Sequence, residues 1–331
     1  MTSFDHDLAT LLALDALEPD EQADAELLLG MFPIGFTDAS AALAEQVATE
    51  PPPDLRDDVL SHALSRRRPG RPVDAATPCE PAEAFNRTVE DLHQLLESLS
   101  DIDWDAPAHD EHGTVRELVA HLVGVEKLSV RWLDETDDVP AMLDHIAATR
   151  PVVDQLAETG PREIARQWHS AALAVSAAAA TGDPTRQVSF HDLSTSVEGF
   201  LVTRTFELWA HAMDISLATG RGLLQLDGER MVMMSSRLMA AVPVALAYRR
   251  STVADRTIRF VLTGAAGGCY TAALRPGDAP GRPDATVVAD AVDVCRVAAR
   301  RLPPDQLEVV IDGDRQLADL VLAGLDAFAR D

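Results

Sequence analysis

Apolar residues recur at helical spacing along much of the chain. Between Ala82 and Leu99, the residues Phe85, Val89, Leu92, Leu95, Leu96 and Leu99 fall on one face, which predicts an amphipathic helix. A second helix begins at Thr114. Thr114 and Glu117 have capping-box spacing, in which each side chain satisfies a free amide of the first turn. Its stripe is Val115, Leu118, Val119, Leu122 and Val125. Weaker periodicity predicts helical stretches over 139–158 and 162–180, the latter ending near Gly182 and Pro184. A long helix is predicted from Ser196 to Ala218, with Gly220 as its C-terminal stop. Residues 82–222 therefore read as a helical bundle.

Beyond residue 222 the pattern changes. Thr257 to Leu262 alternates as a strand does, and so do Tyr270 to Leu274, Ala285 to Val288 and Leu307 to Ile311. Helices are predicted at Met231 to Leu246, Asp290 to Arg301 and Arg315 to Phe328. Residues 223–331 thus read as a small α+β domain, and the whole chain as mainly α. There is no internal repeat, G-x-G-x-x-G or P-loop pattern.

The front of the chain is separate. Leu8, Leu11, Leu12, Leu14 and Leu17 predict a short amphipathic helix, Pro19 opens a second, and a third follows from Leu55 to Leu64. A module of residues 1–65 is small for a core of its own and is expected to lean on a partner. Residues 66–81, RRRPGRPVDAATPCEP, carry the prolines and basic cluster of an extended, exposed linker.

Composition narrows the function classes. Aromatics make up 5% of the 331 residues, which favours helices over strands. The formal net charge of -26 would repel nucleic acid and anionic lipid, so neither is an expected partner. Cys79, Cys269 and Cys295 are odd in number and far apart, which argues against a disulfide framework and a cysteine zinc site. The opening MTSFDHDLAT has no basic segment followed by an apolar run, as a signal peptide would. The most apolar stretch, Met231 to Tyr248, is interrupted by Ser235, Ser236 and Arg237. The expected location is the cytoplasm.

The residue pattern with most chemical content is Glu207-Leu208-Trp209-Ala210-His211. On a helix, residues four apart point the same way with Cβ atoms about 5–6 Å apart. A carboxylate and an imidazole so placed can hold one metal ion, or form an ordinary surface pair. His121 lies among Val119, Leu122 and Val125 and should face the bundle interior, as a third ligand or as a core histidine. Asp214, one turn past His211, is a candidate for orienting an imidazole, or else a surface acid. Arg204 is a candidate for contact with an anionic substrate, or a salt-bridge partner. His109 and His112 lie in the polar stretch Ala106 to Gly113 and read as solvent-exposed. His191-Asp192 belongs with the start of the last helix, and His169 with core or edge packing.

The wording around these residues adds to the spacing. Thr114-Val-Arg-Glu-Leu-Val-Ala-His121-Leu-Val-Gly-Val-Glu126 resembles the second helix of the mycothiol-dependent maleylpyruvate isomerase family, which is related to the DinB fold. Arg204-Thr-Phe-Glu207-Leu-Trp-Ala-His211-Ala-Met-Asp214 through Gly220-Arg221 is similar to that family's fourth-helix signature. The resemblance covers about 80 to 331. It implies a four-helix bundle with a divalent metal, usually zinc, held by His121, Glu207 and His211, and a C-terminal α+β domain of sterol-carrier-like form. Three protein ligands leave zinc one open position, the arrangement of catalytic sites. The resemblance implies that this position can take the thiolate of mycothiol, which would then add to a small electrophile. The implied activity is a metal-dependent isomerase or thiol transferase.

Leu11-Leu12-Ala-Leu14-Asp-Ala-Leu17-Glu-Pro19 through Glu26 resembles the N-terminal domain of actinobacterial anti-sigma factors. Where the zinc-bearing members have His, Cys and Cys, this chain has Leu28, Phe32 and Gly35, so the resemblance is to zinc-free versions. It implies a sigma factor as partner for residues 1–65. The alternative overall reading is then a regulator whose front module binds sigma and whose bundle senses metal or thiol.

Overall fold

A computed structural model of the chain describes residues 76–134, 144–190, 193–264 and 266–329, all within the unit that runs from Pro72 to Asp331. The readings made for residues 1–65, the linker up to residue 75 and His191-Asp192 lie outside the described residues.

Four long helices make the bundle: α1 (Pro81–Glu97), α2 (Val115–Leu133), then, after a shorter α3 (His145–Leu156), α4 (Pro161–Ala179) and α5 (Val197–Ala218). Each starts where its sequence provides a start. Pro81 and Pro161 occupy the first turns of α1 and α4, where a missing N–H costs nothing. The Thr114–Glu117 capping box closes α2, with Thr114 N donating to Glu117 Oε2 at 2.9 Å. Ser196 Oγ accepts from Gly199 N at the start of α5. The helices bury Phe85, Leu92, Leu118, Leu122, Ile164 and Trp168 in one core. Of the expected 139–158 stretch, the described part is helical from His145 to Leu156.

Two short hairpins were not anticipated. β1 (Pro107–His109) pairs with β2 (Gly113–Thr114), and β3 (Gln187–Phe190) pairs with β4 (Leu193–Ser196). The first occupies the stretch read as an exposed loop.

The C-terminal part is α+β, as its alternating segments predict. Helix α6 (Gly228–Tyr248) packs on a mixed sheet of β5 (Thr257–Thr263), β6 (Gly268–Ala273), β7 (Ala285–Asp290) and β8 (Val309–Gly313), in the order β6-β5-β7-β8. β5 is antiparallel to β6 and parallel to β7, and β7 is antiparallel to β8. Helices α7 (Ala291–Ala298) and α8 (Arg315–Gly324) complete it. By length and composition α6 alone among the described helices is long and apolar enough to cross a membrane, and 56% of that apolar window is buried inside the protein. Met231, Met234, Leu238 and Val242 share a core with Ile258, Phe260 and Val287 of the sheet.

Helix α5 belongs to both cores. Phe200, Leu208, Ala212 and Ile215 lie in the bundle core, while Val202, Trp209 and Met213 lie in the core of the α+β part. An all-round apolar helix is one buried on every side. Ion pairs reinforce the junction: Arg230 meets Asp91 at 2.6 Å, and Arg87 meets Glu229 at 2.9 Å. The helix that carries Glu207 and His211 is therefore held on two sides, a rigid base for a site.

Candidate metal centre

His211 on α5 and His121 on α2 point toward each other, both buried. The third group beside them is His112, and the ligand atoms of His112, His121 and His211 all lie within 4.8 Å of one another. The His112 and His121 rings stack with centroids 4.0 Å apart, and His112 meets His211 edge-on at 5.4 Å. His112 is 8% exposed, so reading it as a solvent-exposed loop residue was wrong. The β1–β2 hairpin folds it inward. Gly113, with φ near +81°, makes the turn that does so, and a Cβ there would lie 2.3 Å from Glu117 Oε2. His109, half-buried beside it, stacks on His112 at 4.7 Å.

Two of the imidazoles are oriented by their Nδ1 atoms. His121 Nδ1 is 2.7 Å from Thr149 Oγ1. The Thr149 hydroxyl donates its single proton to the His145 carbonyl at 2.8 Å, so it accepts from His121. That puts the His121 proton on Nδ1 and the lone pair on Nε2. The contact depends on a glycine: Gly124, one turn after His121, would with a Cβ meet Thr149 Cγ2 at 2.7 Å. His145, at the start of α3, lies with its ring 5.5 Å from that of His121.

His211 is arranged in the same way. Its Nδ1 lies 3.1 Å from Asp214 Oδ2, a carboxylate that only accepts. Asp214 is itself gripped by Arg301, with Nε to Oδ1 at 2.8 Å and Nη2 to Oδ2 at 2.6 Å. Arg301 Nη2 also lies 3.5 Å from His211 Nδ1, too long to displace the carboxylate contact. Burial works against the Asp214 charge, but the bonds from His211 and Arg301 more than offset it, and its pKa lies below the usual carboxylate range. A histidine ordered through Nδ1 by a carboxylate presents Nε2 as a metal ligand.

Glu207 is one turn before His211, and its carboxylate pairs with Arg204. Arg204 also reaches Glu126 on α2 at 2.6 Å, with Arg204 2% exposed and Glu126 fully buried. Burial pushes the Glu126 carboxyl above the usual range, and Arg204 pulls it back part of the way. For Arg204, burial acts against the charge, but Glu126 and Glu207 outweigh it and hold its pKa above the ordinary value. Of the three residues singled out as ligands, the fold brings His121 and His211 to one cluster with His112. It sets Glu207 at the adjacent turn, in the ion pair with Arg204.

Other histidines are accounted for by packing. His169 stacks on His93 at 4.0 Å and bonds Glu90 at 2.8 Å. Cys79, Cys269 and Cys295 are free thiols, and burial pushes the Cys295 pKa well up, away from nucleophilic use.

Residues 85–216 match the model of the mycothiol maleylpyruvate isomerase N-terminal domain. The bundle is similar to that domain. The matched span runs from α1 almost to the end of α5, so it takes in His112, His121, Glu207, His211 and Asp214. Arg301 lies outside the matched span, in the α+β part. Two solved structures are similar, a mycothiol-dependent maleylpyruvate isomerase and a histidine-to-alanine mutant of it. Each is 15% identical, covering 69% of this chain and 91% of that one, with TM-scores of 0.49 and 0.47. No curated protein matches the chain.

The donor set fits a divalent ion. Imidazole nitrogens suit zinc and its neighbours. Ligands of a tetrahedral zinc lie roughly 3.4 Å apart, given bonds of about 2.0–2.1 Å. A cluster spread over no more than 4.8 Å thus needs only a small closure to grip an ion.

Proposed function

We propose that the chain is a metal-dependent enzyme that uses a low-molecular-weight thiol, mycothiol by family, to act on a small electrophile as an isomerase or thiol transferase. The observation that supports this best is the coincidence of the family match with a buried cluster of oriented imidazoles. His121 and His211 would hold the ion, zinc being the first candidate. Glu207 is the third ligand that the motif implies, and His112 is the further imidazole that the hairpin supplies. When bound, the metal would lower the pKa of a thiol so that its thiolate is available at neutral pH.

The remaining work falls to the chain. Thr149 and the Asp214–Arg301 pair hold the two imidazoles with Nε2 toward the cluster, so little ordering is left for the moment of binding. The Arg204 ion pairs join Glu126 of α2 to Glu207 of α5 and fix the two helices against each other. The β1–β2 hairpin brings the buried His112 against His121 and His211. A soluble, cytoplasmic location is part of this proposal.

Metal analysis of the purified protein tests it. About one divalent ion per chain is expected from three-ligand coordination. His211→Ala should remove it, and an unchanged metal content in that variant would refute the site. Glu207→Gln and His112→Ala, compared by chelator competition, identify the third ligand by which of them weakens binding more.

A regulatory reading, in which residues 1–65 bind a sigma factor, rests on their leucine pattern and its resemblance alone.

A further inference from the structure

His112 has no place in the ligand set that the family resemblance implies, yet the fold delivers it to that site. Its ligand atom lies within 4.8 Å of those of His121 and His211, and no other described residue joins that group. Glu207 lies outside it, in its ion pair with Arg204. Two neighbouring imidazoles are also outside it. The His145 ring is 5.5 Å from that of His121. His109 Nδ1 accepts from Glu111 N at 3.2 Å, so the neutral ring carries its proton on Nε2 and has no second lone pair to offer.

The three clustered histidines are not held alike. His121 stands inside α2, a helix of 19 residues, and bonds Thr149 at 2.7 Å. His211 stands inside α5, a helix of 22 residues, and meets Asp214, which Arg301 grips. His112 stands in the turn between strands of three and two residues. A two-stranded hairpin of that length has little stability of its own. Moving parts are drawn from such low-stability elements. Of the three imidazoles, the one on the hairpin is the one a competing ligand displaces first.

We propose that His112 fills the position left open by His121, Glu207 and His211 while no thiol is present, and that the incoming thiol displaces it. In that exchange the bond from the ion to the His112 nitrogen breaks and a bond from the ion to sulfur forms. The thiol proton leaves to solvent. A fourth protein ligand closes a site whose open position would otherwise hold water. Thiolate sulfur suits zinc, whereas water suits harder ions, so the exchange favours a thiol over water. The inference rests on the metal–thiol reading of this site.

The test uses full-length protein loaded with cobalt(II), and N-acetylcysteine as the thiol. In proton NMR, each imidazole bound to the cobalt gives a strongly shifted, exchangeable ring N–H signal. Without thiol, His112, His121 and His211 should each give one. His112→Ala should remove one of these signals and keep the metal. When the wild type is saturated with N-acetylcysteine, that same signal should vanish as a sulfur-to-cobalt absorption band grows. The variant should bind the thiol about tenfold more tightly than wild type, because it has no ligand to displace. If the variant does not fold, the wild-type spectra decide by the loss of one signal on saturation. Persistence of every signal with sulfur bound would make His112 a permanent ligand and overturn the proposal. Loss of the metal in His112→Ala would do the same, as would a thiol-free wild type that lacks the His112 signal. Failure of the wild type to bind metal, or of both proteins to show the sulfur band, would instead remove the metal–thiol reading and this inference with it.

Discussion

Arg301 reaches across from the α+β part to grip Asp214 of the bundle with two hydrogen bonds, at 2.8 and 2.6 Å. Asp214 in turn holds His211 Nδ1 at 3.1 Å. The C-terminal part thus supports a proposed ligand that it does not contain, and the proposed metal binding would be linked to its docking. Arg301→Gln should lower metal affinity about 10- to 100-fold, the usual cost of losing a partner behind a ligating histidine. Chelator competition reads this directly. Arg301→Lys should restore part of the loss, which a merely structural role would not predict.

Gly124 gives a parallel prediction on the other ligand. Gly124→Ala would drive a Cβ into Thr149 and push α3 away from α2. The expected cost is about 1–3 kcal/mol from overpacking, measured by urea unfolding of metal-free protein. Metal affinity should fall as well, because His121 would lose its Thr149 partner. Thr149→Val in the Gly124→Ala background should then have little further effect on metal binding.

Such links explain what was legible in the sequence. The helices were readable because their stripes are long and their starts carry explicit signals, such as Pro81, Thr114 and Ser196. Asp214 was readable as a partner for His211 because helical geometry brings i and i+3 together. His112 was not, since its burial depends on the positive φ of Gly113 and on strands of two and three residues, too short to show alternation. Arg301 was hidden for a different reason: it is 87 residues from Asp214, and no local pattern reports such a contact.

The capping box at α2 has a pH signature. The Thr114 backbone N–H holds the Glu117 carboxyl below its ordinary value of 4.5. A depressed acid contributes stability that is present above the unfolded pKa and lost as pH falls through the folded one. Glu117→Gln should therefore be less stable than wild type at pH 7, with the gap shrinking as pH drops below about 4.5. Denaturant titrations of metal-free protein at pH 7 and pH 3 check this. A gap that stays constant would show that the Glu117 charge plays no part.

The sigma-factor reading of residues 1–65 makes its own prediction. A pull-down with the sigma factor encoded nearest the gene should succeed with the full-length chain and fail with a chain starting at Glu80. Leu11→Asp with Leu14→Asp should abolish capture without unfolding the bundle. Equal capture by both chains, or by neither, removes residues 1–65 as a sigma-binding element.

The central claim is that oriented histidines hold a metal which in turn takes a thiol. Calorimetric titration of mycothiol into metal-loaded and metal-stripped protein tests it most directly. The account predicts binding by the loaded protein, with about one thiol per ion as expected for a single open position, and none by the stripped form. Equal binding by both forms, or negligible binding by the loaded one, would contradict it.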